Sequence, residues 1–133
     1  MYILIIDDDP QNCELFYKAV REVGSDFQCA RAADGKEGLS LLQNDPIKLR
    51  DFIFLDINMP AMNGKECLMQ IKQHDKLRSI PVIMYSTTSN ANEIGSYRKL
   101  GAHDFLIKPH NFNRLVEALR SIILANGKSK DQD

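Results

Sequence analysis

With 133 residues, 44% of them hydrophobic, the chain is sized for one domain with a full core. A net charge of −1 excludes a general electrostatic pull toward nucleic acid. Three scattered cysteines (Cys13, Cys29, Cys67) and three scattered histidines (His74, His103, His110) suit neither a disulfide framework nor a zinc site, and no apolar stretch approaches the ~18 residues of a membrane span.

Tyr2 to Ile6 is a short, unbroken apolar run rich in Ile, hence a central strand, and it ends in Asp7-Asp8-Asp9. Asp9-Pro10 predicts an N-cap followed by Pro at the first helical position, where its missing N–H costs nothing. Cys13, Phe16, Val20 and Val23 keep helical spacing, and Gly24 closes that helix. Phe27 to Ala32 is a weaker strand. Asp34-Gly35-Lys36-Glu37 opens a second helix carrying Leu39 and Leu42, which Asn44-Asp45-Pro46 breaks. Phe52-Ile53-Phe54-Leu55 predicts a strand buried on both faces, stopping on Asp56. Met59-Pro60 turns the chain, and Asn63 caps a third helix with Glu66 three residues on. The fourth strand, Ile80 to Tyr85, carries Pro81 near its start and ends in Ser86-Thr87-Thr88. A helix from about Asn90 carries Ile94, Tyr97 and Leu100 and stops at Gly101. His103 to Ile107 is the fifth strand, ending in Lys108-Pro109. The last helix has the clearest apolar stripe, namely Phe112, Leu115, Val116, Leu119, Ile122 and Ile123. Residues 1–126 are therefore expected to form the domain and 127–133 a charged, frayed tail.

Five strands alternating with five helices predict an α/β fold, a (βα)5 doubly wound parallel sheet with helices on both faces. Parallel strands deliver their carboxyl ends to one edge, where open α/β sheets place ligand crevices. Those ends carry Asp7-Asp8, Asp56, Ser86-Thr87 and Lys108. If the first, third, fourth and fifth strands are neighbours, these residues converge. Three carboxylates in one crevice raise at least one pKa, and a hard divalent cation such as Mg²⁺ relieves the conflict. A carboxylate beside such an ion can attack phosphorus, while a cation and a hydroxyl balance the equatorial oxygens. Taken singly, each element has a plainer reading: a capping cluster at Asp7 to Asp9, a strand-end turn at Asp56, a surface lysine, a loop hydroxyl. Four at consecutive strand ends, each with the charge its role requires, point to a single site.

In order and spacing, Ile5-Ile6-Asp7-Asp8, Asp56-x-x-Met59-Pro60-x-x-x-Gly64 and Lys108-Pro109 resemble the response-regulator receiver domain of the CheY kind, over nearly the whole chain. The resemblance implies the flavodoxin-like strand order 2-1-3-4-5. It implies that Asp56 accepts a phosphoryl group from a phosphohistidine on a sensor histidine kinase or a histidine phosphotransfer protein. It implies Mg²⁺ held by Asp8 and Asp56 directly, by Asp7 through water and by the backbone carbonyl of Asn58. Lys108 would contact the phosphoryl oxygens, with a cis bond to Pro109. Ser86 and Phe105 would form the switch, Asn58 and Thr88 would tune phosphoryl lifetime, and the fourth helix, fifth strand and last helix would meet a downstream protein. Phe105 is also a plain core aromatic on its own showing, and it excludes readout through a tyrosine hydroxyl.

Three rivals share parts of this pattern. A haloacid-dehalogenase-type phosphatase would put the acyl phosphate on Asp7, but Pro10-Gln11 stands where Gly-Thr would follow. A flavodoxin-like flavin carrier needs a phosphate cradle where this chain has three aspartates. A pseudo-receiver binding module would not need the complete acidic set. The expectation is thus a stand-alone, cytoplasmic receiver of a two-component phosphorelay, a phosphoacceptor signalling domain rather than an enzyme, with protein partners and neither nucleic acid nor membrane.

Overall fold

The computed structural model describes residues 1–44, 51–59, 62–87 and 90–131, with side chains described as far as residue 125. The break at Asn44-Asp45-Pro46, the turn at Met59-Pro60 and the tuning position Thr88 therefore fall, wholly or in part, outside the described residues.

Local chemistry sets the element ends. The side chain of Asp9 accepts a hydrogen bond from Gln11 N–H and starts α1 (Pro10–Val23) with Pro at its first turn; Gly24 ends it in extended backbone (φ −165°), not in a left-handed cap. Asn63 accepts from Glu66 N–H at the start of α3 (Gly64–Gln73), and Asn90 from Glu93 N–H at the start of α4 (Ala91–Lys99). Asp34 does the same for Glu37 at α2 (Gly35–Asn44). The strands are β1 (Tyr2–Ile6), β2 (Gln28–Ala32), β3 (Phe52–Asp56), β4 (Val82–Ser86) and β5 (Asp104–Ile107). All pairs are parallel, in the order β2-β1-β3-β4-β5 that the resemblance implied.

β1, β3 and β4 are buried almost end to end, as their unbroken apolar runs require. Alternate residues split the core into two layers. Leu4, Ile6, Ile53, Leu55, Val82 and Met84 pack with α2, α3 and α4. Ile3, Ile5, Phe52, Phe54, Ile83 and Tyr85 pack with α1 and with α5 (Phe112–Asp131).

Several expectations need correction. Phe27 precedes β2, turned back by its N–H to the Gly24 carbonyl, and His103 precedes β5. Phe112, at the start of α5, is 37% exposed, so the buried stripe begins at Leu115. The α5 backbone continues helically to Asp131, through most of the stretch 127–133 expected to fray. Gly127 costs about 1 kcal/mol against Ala, too little to stop a helix already propagating. No cis peptide occurs among the described residues, so Lys108–Pro109 is trans. That form is intrinsically favoured by about 0.5–1 kcal/mol, and Lys108 reaches all its partners from it.

The cysteines behave as small hydrophobes. Cys13 and Cys67 are buried, Cys29 is half-buried, and no disulfide joins them among the described residues. Burial pushes the Cys13 thiol up to about 11 and that of Cys67 up to about 12.

Candidate functional site

Strand register brings the strand ends together. Ile6 pairs with Leu55, so Asp7 and Asp56 occupy the next rung side by side. Asp56 in turn pairs with Tyr85, and Ser86 with Ile107, which leaves Lys108 just past the end of β5. Continuing the alternation of each strand, Asp7, Asp56, Tyr85 and Lys108 all fall on the α1/α5 face at one level. The Lys108 Nζ lies 3.1 Å from Asp7 Oδ2 and 3.5 Å from Asp56 Oδ1. Its backbone N–H donates to the Ser86 carbonyl at 2.7 Å, which pins the loop after β5 to the end of β4.

The acidic cluster is unequal. Asp7 has no exposed surface, and its other oxygen accepts from the Asp9 N–H at 2.9 Å. Asp8 is exposed, and Asp56 is 7% exposed. One carboxylate oxygen from each of the three lies within 4.8 Å of the others. Burial pushes Asp56 up to about 6; Lys108 opposes the shift, and the Asp7 and Asp8 carboxylates add to it. The donor set is all oxygen and the negative charge is only partly balanced by one ammonium. Those are the conditions a hard divalent cation satisfies, so the residues fit such an ion.

The other predicted positions separate by place. Ser86 is buried at the end of β4 and joined through its backbone to Lys108. Asn58 is exposed two residues beyond Asp56. Phe105 is half-buried on the opposite face of the sheet, its ring 6.3 Å from that of Tyr97, so it does not enter the acidic pocket.

Three contributors were given no physical role by the sequence reading. Arg31, at the end of β2, extends its Nη2 to 3.5 Å from the Asp7 carbonyl and 3.4 Å from that of Asp8, while its Nε is buried without a hydrogen-bond partner. Only the β1–β2 pairing places it there. Tyr85 turns its ring toward Lys108, with Nζ 5.1 Å from the centroid. Gly64 donates its N–H to the Ile57 carbonyl at 2.8 Å, and a Cβ there would collide with the Asp56 carbonyl oxygen and stand 2.7 Å from Ile57 Cα. Its spacing from Asp56 was the available signal, though not the reason for it. Gly64→Ala is expected to lower stability by about 2–3 kcal/mol, read from urea unfolding, because the colliding groups are backbone and cannot rotate away. An unchanged midpoint would mean that the loop yields freely.

Comparison with known proteins agrees with this geometry. The model of the response regulator receiver domain family matches residues 3–120. A probable cyclic di-GMP phosphodiesterase of Vibrio cholerae is 34% identical over 97% of this chain, which spans 28% of that protein's length. The Mn²⁺-bound response regulator Rcp1 superposes with a TM-score of 0.80 at 25% identity, covering 92% of this chain and 91% of that one. The chemotaxis protein CheY4 of Vibrio cholerae superposes at 0.78 and 26% identity, over 91% of this chain and 97% of its own.

Proposed function

The chain belongs to the response regulator receiver domain family, and from that membership we propose that Asp56 is its phosphoacceptor, charged from a phosphohistidine on a sensor histidine kinase or a histidine phosphotransfer protein. The domain is a signalling module, with at most self-catalysed phosphoryl uptake and autodephosphorylation of its own. An Asp56 carboxylate oxygen attacks phosphorus, the P–N bond breaks, and the imidazole departs with its electron pair. The Lys108 ammonium, already 3.5 Å from Asp56, balances charge on the transferred group's oxygens, and Ser86 at the end of β4 donates a hydrogen bond to it. Mg²⁺ would be held by Asp8, Asp56 and the Asn58 carbonyl, with Asp7 through water, and would neutralise the charge that accumulates there. The single observation carrying this reading is the convergence of Asp7, Asp8 and Asp56 within 4.8 Å, with the half-buried Lys108 against Asp7 and Asp56.

Asp7 is poorly suited to the rival role of nucleophile. It is wholly buried, with one oxygen engaged by Lys108 and the other by the Asp9 N–H. Borohydride trapping after incubation with Mg²⁺ and acetyl phosphate, followed by peptide mapping, is expected to place the modification on Asp56. Modification on Asp7 would reverse the assignment to a phosphatase-like chemistry, and no modification would remove both.

The acyl phosphate then shifts a two-state equilibrium through Ser86 and Phe105, with Asn58 and Thr88 setting access of the hydrolytic water. The face formed by α4, β5 and α5 is the proposed contact for a downstream protein, supported by exposed Ile107 and Phe112 along it. Among the described residues no helix is long and apolar enough to cross a membrane. Phosphotransfer in the cytoplasm between protein partners, without nucleic acid, completes the reading.

A further inference from the structure

We propose that Tyr85 is a positioning residue whose ring face holds the Lys108 ammonium at the phosphoryl pocket. This rests on the phosphoacceptor reading of Asp56 and adds to it a residue that touches neither phosphate nor metal. Lysine carries its charge on four flexible methylenes, so two carboxylates on one side do not by themselves fix the ammonium. The Nζ stands 5.1 Å from the Tyr85 ring centroid, inside the ~6 Å range in which the negative ring face attracts a cation. The ring itself cannot drift. It is 4% exposed, tilted against Phe16 at 5.8 Å and edge-on to Phe54 at 6.4 Å, with its backbone paired to Asp56. Lys108 therefore has three fixed neighbours, Asp7, Asp56 and the ring, and its side chain is only 14% exposed.

An aliphatic residue at position 85 would fill much of the same volume but give the ammonium an apolar wall. A charge pressed against such a wall loses hydration without compensation and withdraws toward water. The ring face prevents that withdrawal. The plain alternative is a core aromatic that happens to lie near a lysine, and two substitutions separate the readings: Tyr85→Phe keeps the face, and Tyr85→Leu removes it.

The test titrates the whole chain with Mg²⁺ and then, at saturating Mg²⁺, with beryllofluoride as the phosphoryl mimic, by calorimetry, beside the rate of uptake from acetyl phosphate. Tyr85→Leu is expected to weaken beryllofluoride binding and slow uptake roughly three- to tenfold, with Mg²⁺ affinity equal to or tighter than the parent's. Tyr85→Phe is expected to match the parent within twofold in all three. Parent-like behaviour of Tyr85→Leu would overturn the proposal. Equal losses in both variants would overturn it too, transferring the role to the phenol hydroxyl. Loss of Mg²⁺ and beryllofluoride affinity together, with a lowered melting temperature, would reduce Tyr85 to packing. A parent chain that takes up no beryllofluoride at all would remove the phosphoacceptor reading, a failure distinct from these.

Discussion

Asp56→Asn is expected to abolish phosphoryl uptake and, in the metal-free protein at neutral pH, to make the fold more stable. The first follows from loss of the nucleophilic carboxylate, the second from loss of a buried charge. The Asp56 carboxyl titrates at about 6 in the folded chain instead of 3.8, chiefly through burial, with Asp7 and Asp8 adding repulsion against the pull of Lys108. A folded state that holds its proton more tightly than the unfolded one loses stability as pH rises through that window. The parent should therefore lose about 2–3 kcal/mol between pH 4 and pH 6 from this group, then level off. Asparagine keeps the shape and does not titrate. The stability difference between variant and parent should be near zero below pH 4 and reach its full value above pH 6. Urea unfolding at pH 3.5, 5 and 7.5 measures it, and a difference that does not change with pH would refute the electrostatic origin. Saturating Mg²⁺ should stabilise the parent and shrink the gap, since ligand binding to the folded state alone favours it.

Lys108→Ala should slow uptake from acetyl phosphate by two to three orders of magnitude, roughly the effect of deleting one preorganised charge partner of a transition state. The same change should tighten Mg²⁺ binding, because the ammonium that lies 3.1 Å from Asp7 and 3.5 Å from Asp56 competes with any cation for those oxygens. Opposite signs for metal affinity and reactivity distinguish this from simple damage. In the absence of metal, two carboxylates that are nearly inaccessible lose their ammonium, and about 3 kcal/mol of stability should go with it. Weakened Mg²⁺ binding together with slowed uptake would instead mean that the pocket had collapsed, and uptake at the parent rate would show that Lys108 has no part in the chemistry.

The alternation of apolar runs with capped helices was enough to fix five strands and five helices, because burial on both faces keeps β1, β3 and β4 apolar up to their carboxyl ends. The strand-end residues Asp7, Asp8, Asp56 and Lys108 were legible for the same reason: each belongs to the first charge or pair of charges after an apolar run, and parallel strands have a common polarity. Boundaries were less legible. Phe27, His103 and Phe112 are apolar or aromatic enough to pass for members of their elements, yet each sits just outside the strand or buried stripe it adjoins. Their places depend on hydrogen bonds such as Phe27 N–H to Gly24, which composition does not reveal.

By itself, then, the chain of residues determined the fold class and the chemical types at the sheet edge, since both follow from periodicity and charge along one strand at a time. Tertiary structure alone decided the trans bond before Pro109, the close approach that reserves position 64 for glycine, Arg31 against the carbonyls of Asp7 and Asp8, and the Tyr85 ring under Lys108. These depend on which strands are neighbours and in what register, and pairing between segments dozens of residues apart leaves no mark in the local pattern of either one.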